Sequence, residues 1–118
     1  MKIWLALAIL GIVVVAIATG AFGREADNEV HAAVSCANTS TEALAVNGGR
    51  VSALFVNDST QTIWIAINQA AVANEGIRLN ANGGSYYIFD GDGNLDRDAV
   101  NCIVASGTGT ILVTEWFN

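Results

Sequence analysis

RVSALFVNDSTQTIWIAIN, residues Arg50 to Asn68, holds two apolar runs separated by Asn57-Asp58-Ser59-Thr60-Gln61, a cluster of residues suited to a turn. Val51, Ala53 and Phe55 alternate with Ser52, Leu54 and Val56. Ile63, Ile65 and Ile67 alternate with Thr62, Trp64 and Ala66. Both runs therefore carry the period of two that a strand requires, and the stretch reads as a β-hairpin. Each arm is apolar on both sides, which places it inside a sheet or sandwich. One of those faces, the one bearing Trp64, is the candidate subunit contact. On that reading Trp64→Ser should dissociate an oligomer before it unfolds a monomer.

Outward from this stretch, short runs recur between turn signals. After a turn at Asn38-Thr39-Ser40-Thr41, Ala43 to Val46 leads in through Asn47-Gly48-Gly49, residues that tolerate the positive φ of tight turns. Gln69 to Glu75 is alanine-rich and long enough for one helical turn only. Gly76 to Leu79 is a short extended piece, and Ser85 to Phe89 is a strand with paired tyrosines. Ala99 to Ser106 and Thr110 to Trp116 read as a second hairpin across Gly107-Thr108-Gly109. With Val34 to Cys36 as a first strand, the count is about six to eight short strands spaced roughly 8–12 residues apart, the pattern of an all-β antiparallel β-sandwich or jelly-roll-like barrel. The chain has no proline and 12 glycines, so its turns fall to Gly, Asn and Asp.

The 118 residues suffice for one domain preceded by a leader. Ile3 to Gly23 contains no charged residue, with Lys2 in front of it and Glu25, Asp27 and Glu29 behind. This is an N-terminal hydrophobic helix, residues 1–23, acting either as a signal peptide or as a retained membrane anchor. Its length favours the anchor, and its small residues Ala16, Ala18, Gly20 and Ala21 favour cleavage. Either way the charge asymmetry predicts export of the remainder, to a virion surface, a cell surface or the medium. Residues 24–33 read as a charged linker or stalk, and residues 34–118 as the β-sandwich domain.

Hydrophobic residues make up 53% of the chain and charged residues 14%, which excludes a disordered chain. Beyond Lys2 the only basic side chains besides His31 are Arg24, Arg50, Arg78 and Arg97, set against 11 acids. A chain without clustered positive charge is unsuited to nucleic acid. Cys36 and Cys102 are the only cysteines, and in an oxidising compartment they are expected to form a disulfide. Closing a loop of this size stabilises a fold by about 4 kcal/mol in the chain-entropy picture. The competing reading is two buried thiols; metal binding lacks the ligands, since one distant histidine and two cysteines cannot complete a tetrahedral site.

Asp90-Gly91-Asp92-Gly93-Asn94-Leu95-Asp96-Arg97-Asp98 sets oxygen-bearing side chains at every second position, as a calcium loop does. Read as an EF-hand, Asp90, Asp92, Asn94, Asp96 and Asp98 fall on ligand positions, but Leu95 replaces the turn glycine and Asn101 the bidentate acid. Read as the calcium loop of an integrin-type propeller, Asp90, Asp92, Gly93 and Asp96 fit, with Ile88 where the first acid belongs. A solvated Asp/Gly turn accounts for the same composition. Calcium is the one cofactor the sequence offers.

No catalytic constellation assembles. His31, the single histidine, lies in the expected stalk, no G-x-S-x-G or phosphate loop is present, and pairing the loop acids with Glu75 or Glu115 has no specificity. The expectation is a non-enzyme. Trp64, Tyr86, Tyr87, Trp116 and Phe117 serve either subunit packing or sugar stacking, with packing favoured by the enrichment of aromatic residues at interfaces.

Several segments together resemble a small β-domain that recurs in tailed-phage structural proteins: Ala45-Val46-Asn47-Gly48-Gly49-Arg50, the strand Val51 to Val56 with Asn57-Asp58-Ser59, and Ile63 to Ile67. Gly76-Ile77-Arg78-Leu79-Asn80-Ala81-Asn82-Gly83-Gly84-Ser85-Tyr86 and the ending Ala99 to Trp116 are also similar to it. The resemblance covers about residues 43 to 117. It implies head-fibre, decoration or tail-associated material that forms symmetric homo-oligomers and carries out no covalent chemistry. The leader, the cysteine pair and the Asp-rich loop depart from that domain. A membrane-containing virus or an extracellular filament subunit would accommodate all of them. The expected function is thus a non-enzymatic, self-associating structural subunit, exported or membrane-anchored. The alternative is a calcium-stabilised adhesin or carbohydrate-binding module using Trp64, Tyr86, Tyr87 and the acidic loop.

Overall fold

The computed structural model describes residues 25–89 and 96–118. The leader with its expected helix, and Asp90, Asp92 and Asn94 of the acidic loop, lie outside the described residues. Among the described residues there are eight strands: β1 (Asn28–Ala37), β2 (Thr41–Leu44), β3 (Arg50–Asn57), β4 (Ile63–Ile67), β5 (Ile77–Leu79), β6 (Ser85–Phe89), β7 (Val100–Ile103) and β8 (Thr108–Phe117). They form two four-stranded antiparallel sheets, a front sheet ordered β1-β8-β3-β6 and a back sheet ordered β2-β7-β4-β5. The pairs β1/β8, β2/β7, β3/β6 and β4/β5 are nested like the two arms of one long hairpin with its tip at β4–β5. That double ribbon, wound so that β3 also meets β8 and β4 also meets β7, has the wiring of a jelly roll.

This wiring corrects both expected hairpins. β3 and β4 do not pair: β3 lies between β8 and β6 in the front sheet, β4 between β7 and β5 in the back sheet. β7 and β8 are divided between the sheets in the same way. Each doubly apolar strand needs a neighbour on both edges and cover on its faces, and crossing the sandwich supplies both. Asn57 holds the crossing after β3. Its side-chain amide donates to the carbonyls of Gln61 (2.7 Å) and Leu79 (3.0 Å), while its Oδ1 accepts from the Ser59 hydroxyl (2.7 Å). The turn cluster was legible as a turn; that it bridges two sheets depends on a buried amide bonded to β5.

The stalk expectation also changes, because β1 starts at Asn28. Val30, Ala32, Val34 and Cys36 alternate with Glu29, His31, Ala33 and Ser35, and all ten β1 residues pair with β8 without a break. The charged outer positions disguised a strand whose inner residues are small and apolar. The alanine-rich Gln69–Glu75 stretch contains no helix and is the β4–β5 connection. Asn68, Asn74 and Asn82 adopt positive φ, as turns without proline require. Gly76, at φ +79°, has no room for a side chain, since a Cβ there would meet the Ile65 carbonyl oxygen at 2.9 Å.

Between the sheets, Phe55, Ile63, Ile65, Leu79, Ile88, Val100, Val104 and Ile111 are fully buried. Cys36 of β1 and Cys102 of β7 are bonded, Cα–Cα 5.7 Å, and both are buried. The disulfide expected from sequence therefore joins the two sheets. It is compatible with an oxidising environment.

Candidate functional site

Strand register determines what each face presents. Ala53, Phe55, Ile88, Ile111 and Val113 point into the core, so their neighbours along β3, β6 and β8 point outward. Three rows cross the outer side of the front sheet in the order β1, β8, β3, β6: Glu29, Trp116, Ser52, Phe89; then His31, Thr114, Leu54, Tyr87; then Ala33, Leu112, Val56, Ser85. Apolar side chains dominate the middle of this face. Tyr87 is 44% exposed and Leu112 40%, while Leu54, Val56 and Trp116 are half-buried. Tyr87 stacks on Phe89 with ring centroids 5.4 Å apart and meets Trp116 edge-on at 6.2 Å. Ser52 is buried between the flanking rings of Trp116 and Phe89. On the β1 side, the His31 ring nitrogens face the Thr114 hydroxyl (3.1 Å) and the Glu29 carboxylate (3.5 Å).

The back sheet is finished differently. Trp64, Ala66 and Ile103 point outward from it but are covered by the β4–β5 connection, with Ala71 lying on them. The Asn101 amide donates to the Gln69 carbonyl (2.7 Å), and the Ala71 amide donates to the Ser40 hydroxyl (2.9 Å), fastening that cover. Trp64 is left 9% exposed, sealed by its own chain.

The expected site residues thus fall in different places. Tyr87 and Trp116 share the open face of the front sheet, and Tyr86 points inward against the core. Of the five calcium candidates, Asp96 and Asp98 are described: the Asp96 carboxylate accepts the Asp98 backbone amide (2.8 Å). Among the described residues no three His, Cys, Asp or Glu side chains gather as metal ligands do. Leu54, Val56, Phe89 and Leu112 belong to the open face and were not singled out from sequence, although the i, i+2 spacing of Tyr87 and Phe89 is a signal that two rings share a side.

A buried ion pair frames this face. The Arg50 guanidinium, fully buried at the start of β3, donates from Nε to Glu115 Oε2 (2.8 Å). It also donates to the carbonyls of Ala45 (2.6 Å), Asp96 (2.7 Å) and Asp98 (2.9 Å). Asn47 donates its side-chain amide to the other Glu115 oxygen (3.1 Å). Glu115, considered above as a carboxylate for hydrolysis, is therefore spent on structure. Four separate backbone segments meet at Arg50: the turn before β3, β3 itself, β8, and the end of the acidic loop.

No protein-family model, characterised protein or solved structure matches this chain. The resemblance to phage structural domains rests on the quoted segments alone.

Proposed function

We propose that this protein is a non-enzymatic structural subunit, exported or membrane-anchored through residues 3–23, that associates with copies of itself or with other structural subunits at a virion surface or in an extracellular assembly. The observation that carries this reading is the outer face of the front sheet, where Leu54, Val56, Tyr87, Phe89, Leu112 and Trp116 form one apolar surface on a fold whose other outer face is covered. Contiguous apolar surface of this kind marks interaction sites in soluble domains. Jelly rolls build capsid and lectin domains alike, so the face carries the argument and the fold alone does not. The disulfide fits an exported domain.

The test is the native mass of the full chain in mild detergent, compared with Leu112→Glu. The native chain is expected as an oligomer and the variant as a smaller assembly. A native chain that stays monomeric at every concentration would defeat self-association. The exposed aromatic group supports one alternative, a sugar-binding module in which Tyr87 and Trp116 stack on a ring and the acidic loop binds calcium. Saturable, calcium-dependent binding on a glycan array would put that reading in its place.

A further inference from the structure

The four sheet edges differ sharply in length. β2, β5 and β6 contain four, three and five residues, while β1 contains ten. Short strands, bulges, proline and lysine are the usual means of blunting an edge. β1 has none of these: its register with β8 is unbroken, and neither proline nor lysine occurs in it. Its residues Asn28 to Ala33 are exposed on both faces, Val30 by 50%. The back sheet's β2 accompanies only the far end of β1, near the disulfide.

The direction of the free backbone groups is readable at that far end. The Ala37 amide donates to Thr41 Oγ1 (3.4 Å) and its carbonyl accepts from Val104 (3.0 Å), both away from β8. In an unbroken ladder the same sense holds at every second residue. The amides and carbonyls of Glu29, His31, Ala33 and Ser35 therefore point out from the edge.

We infer that the edge of β1 pairs antiparallel with the β1 of a second copy, about a two-fold axis at Val30, joining two front sheets into one eight-stranded sheet. Side-chain complementarity, a carboxylate opposite an imidazole N–H, selects both the partner and the register. Glu29 and His31 flank Val30 on the outer face, so this axis sets each Glu29 opposite the other copy's His31, twice. An axis at Glu29 opposes two carboxylates, one at His31 opposes two imidazoles, and one at Ala32 places Ser35 opposite Glu29 and Ala33 opposite His31, with no such pair. The Val30 axis also sets the two exposed valines against each other on the inner side. The inference rests on the self-association proposed above and names an edge for it.

A cysteine at position 30 reads the register directly. Val30 would meet its symmetry mate as a non-hydrogen-bonded pair, Cα atoms about 4.5 Å apart, within disulfide range. Two copies of residue 32 would instead be offset by four residues, about 14 Å along the strand. The described chain has no free cysteine to compete. The full chain carrying Val30→Cys, equilibrated in a thiol–disulfide buffer with mild detergent, is expected to shift to twice the chain mass without reductant, and Ala32→Cys is not. Added to Val30→Cys, Glu29→Lys should abolish the cross-linked dimer, and Glu29→Lys with His31→Glu should restore it. An oligomer in which Val30→Cys cross-links no better than Ala32→Cys, or which the double exchange fails to rescue, overturns this edge while leaving the subunit role intact. A chain that remains monomeric throughout, as when another segment or another protein occupies β1, overturns this edge and self-association together.

Discussion

Trp64 and Trp116 stand in equivalent places. Each lies on a central strand, β4 in the back sheet and β8 in the front, and each points away from the core. Yet Trp64 is sealed beneath Ala71, whereas Trp116 sits among Tyr87, Ser52 and Glu29 at the surface. The strands do not account for the difference; the connections do. The nine residues between β4 and β5 fold back across the back sheet. Among the described residues no segment crosses the outer side of the front sheet. Among the described residues one outer face is closed by the chain itself and the other is open.

The largest effect should come from the frame that both faces share. Arg50→Met leaves Glu115 and three backbone carbonyls without their buried donor, and breaking such a pair costs about 3–5 kcal/mol. A urea titration should show both sheets lost in one transition at lower midpoint. An unchanged midpoint would mean that water replaces the guanidinium. Next comes Trp64→Ala, for which removal of a sealed ring is expected to cost about 3 kcal/mol in the same titration, without prior dissociation of any oligomer. That is the reverse of the behaviour expected from sequence, and dissociation before unfolding would restore the earlier reading. Asn101→Ala removes one bond holding the cover and should cost about 1 kcal/mol. Its more telling signature is faster amide hydrogen exchange at Ala71 with β7 and β4 unaffected; uniform exchange would show that the cover and the sheet open together.

The alternation of Val51 to Val56 and Ile63 to Ile67 was enough to mark strands and to separate Trp64 from the isoleucines. Period two reports which side of a strand a residue occupies and says nothing about the strand's neighbour. For that reason the two expected hairpins turned out to be crossings between sheets. Nor does it report what lies over a face, which for Trp64 depended on the path of residues 68–76. β1 was legible, since Val30, Ala32, Val34 and Cys36 alternate, but Glu29 and His31 gave it the look of a stalk. The disulfide was legible because two cysteines have only one pairing. The Arg50–Glu115 pair was not, because partners 65 residues apart leave no local pattern.

The smallest effect on stability is the most informative about the open face. Leu112 is central in β8, outward, and flanked by Ala33 and Val56 in its row. Threonine puts a β-branched side chain, which suits a pleated surface, in place of leucine, so Leu112→Thr should change monomer stability by no more than about 0.5 kcal/mol. If the front face is a contact surface, the same change should weaken association measurably, because it removes exposed apolar area from the patch. Sedimentation of the native chain and the variant across a concentration series separates the two quantities. Weakened association with an unchanged melting temperature would establish the division of labour between the faces. A large loss of stability would show that Leu112 supports the sheet itself, and unchanged association would move the contact away from this face.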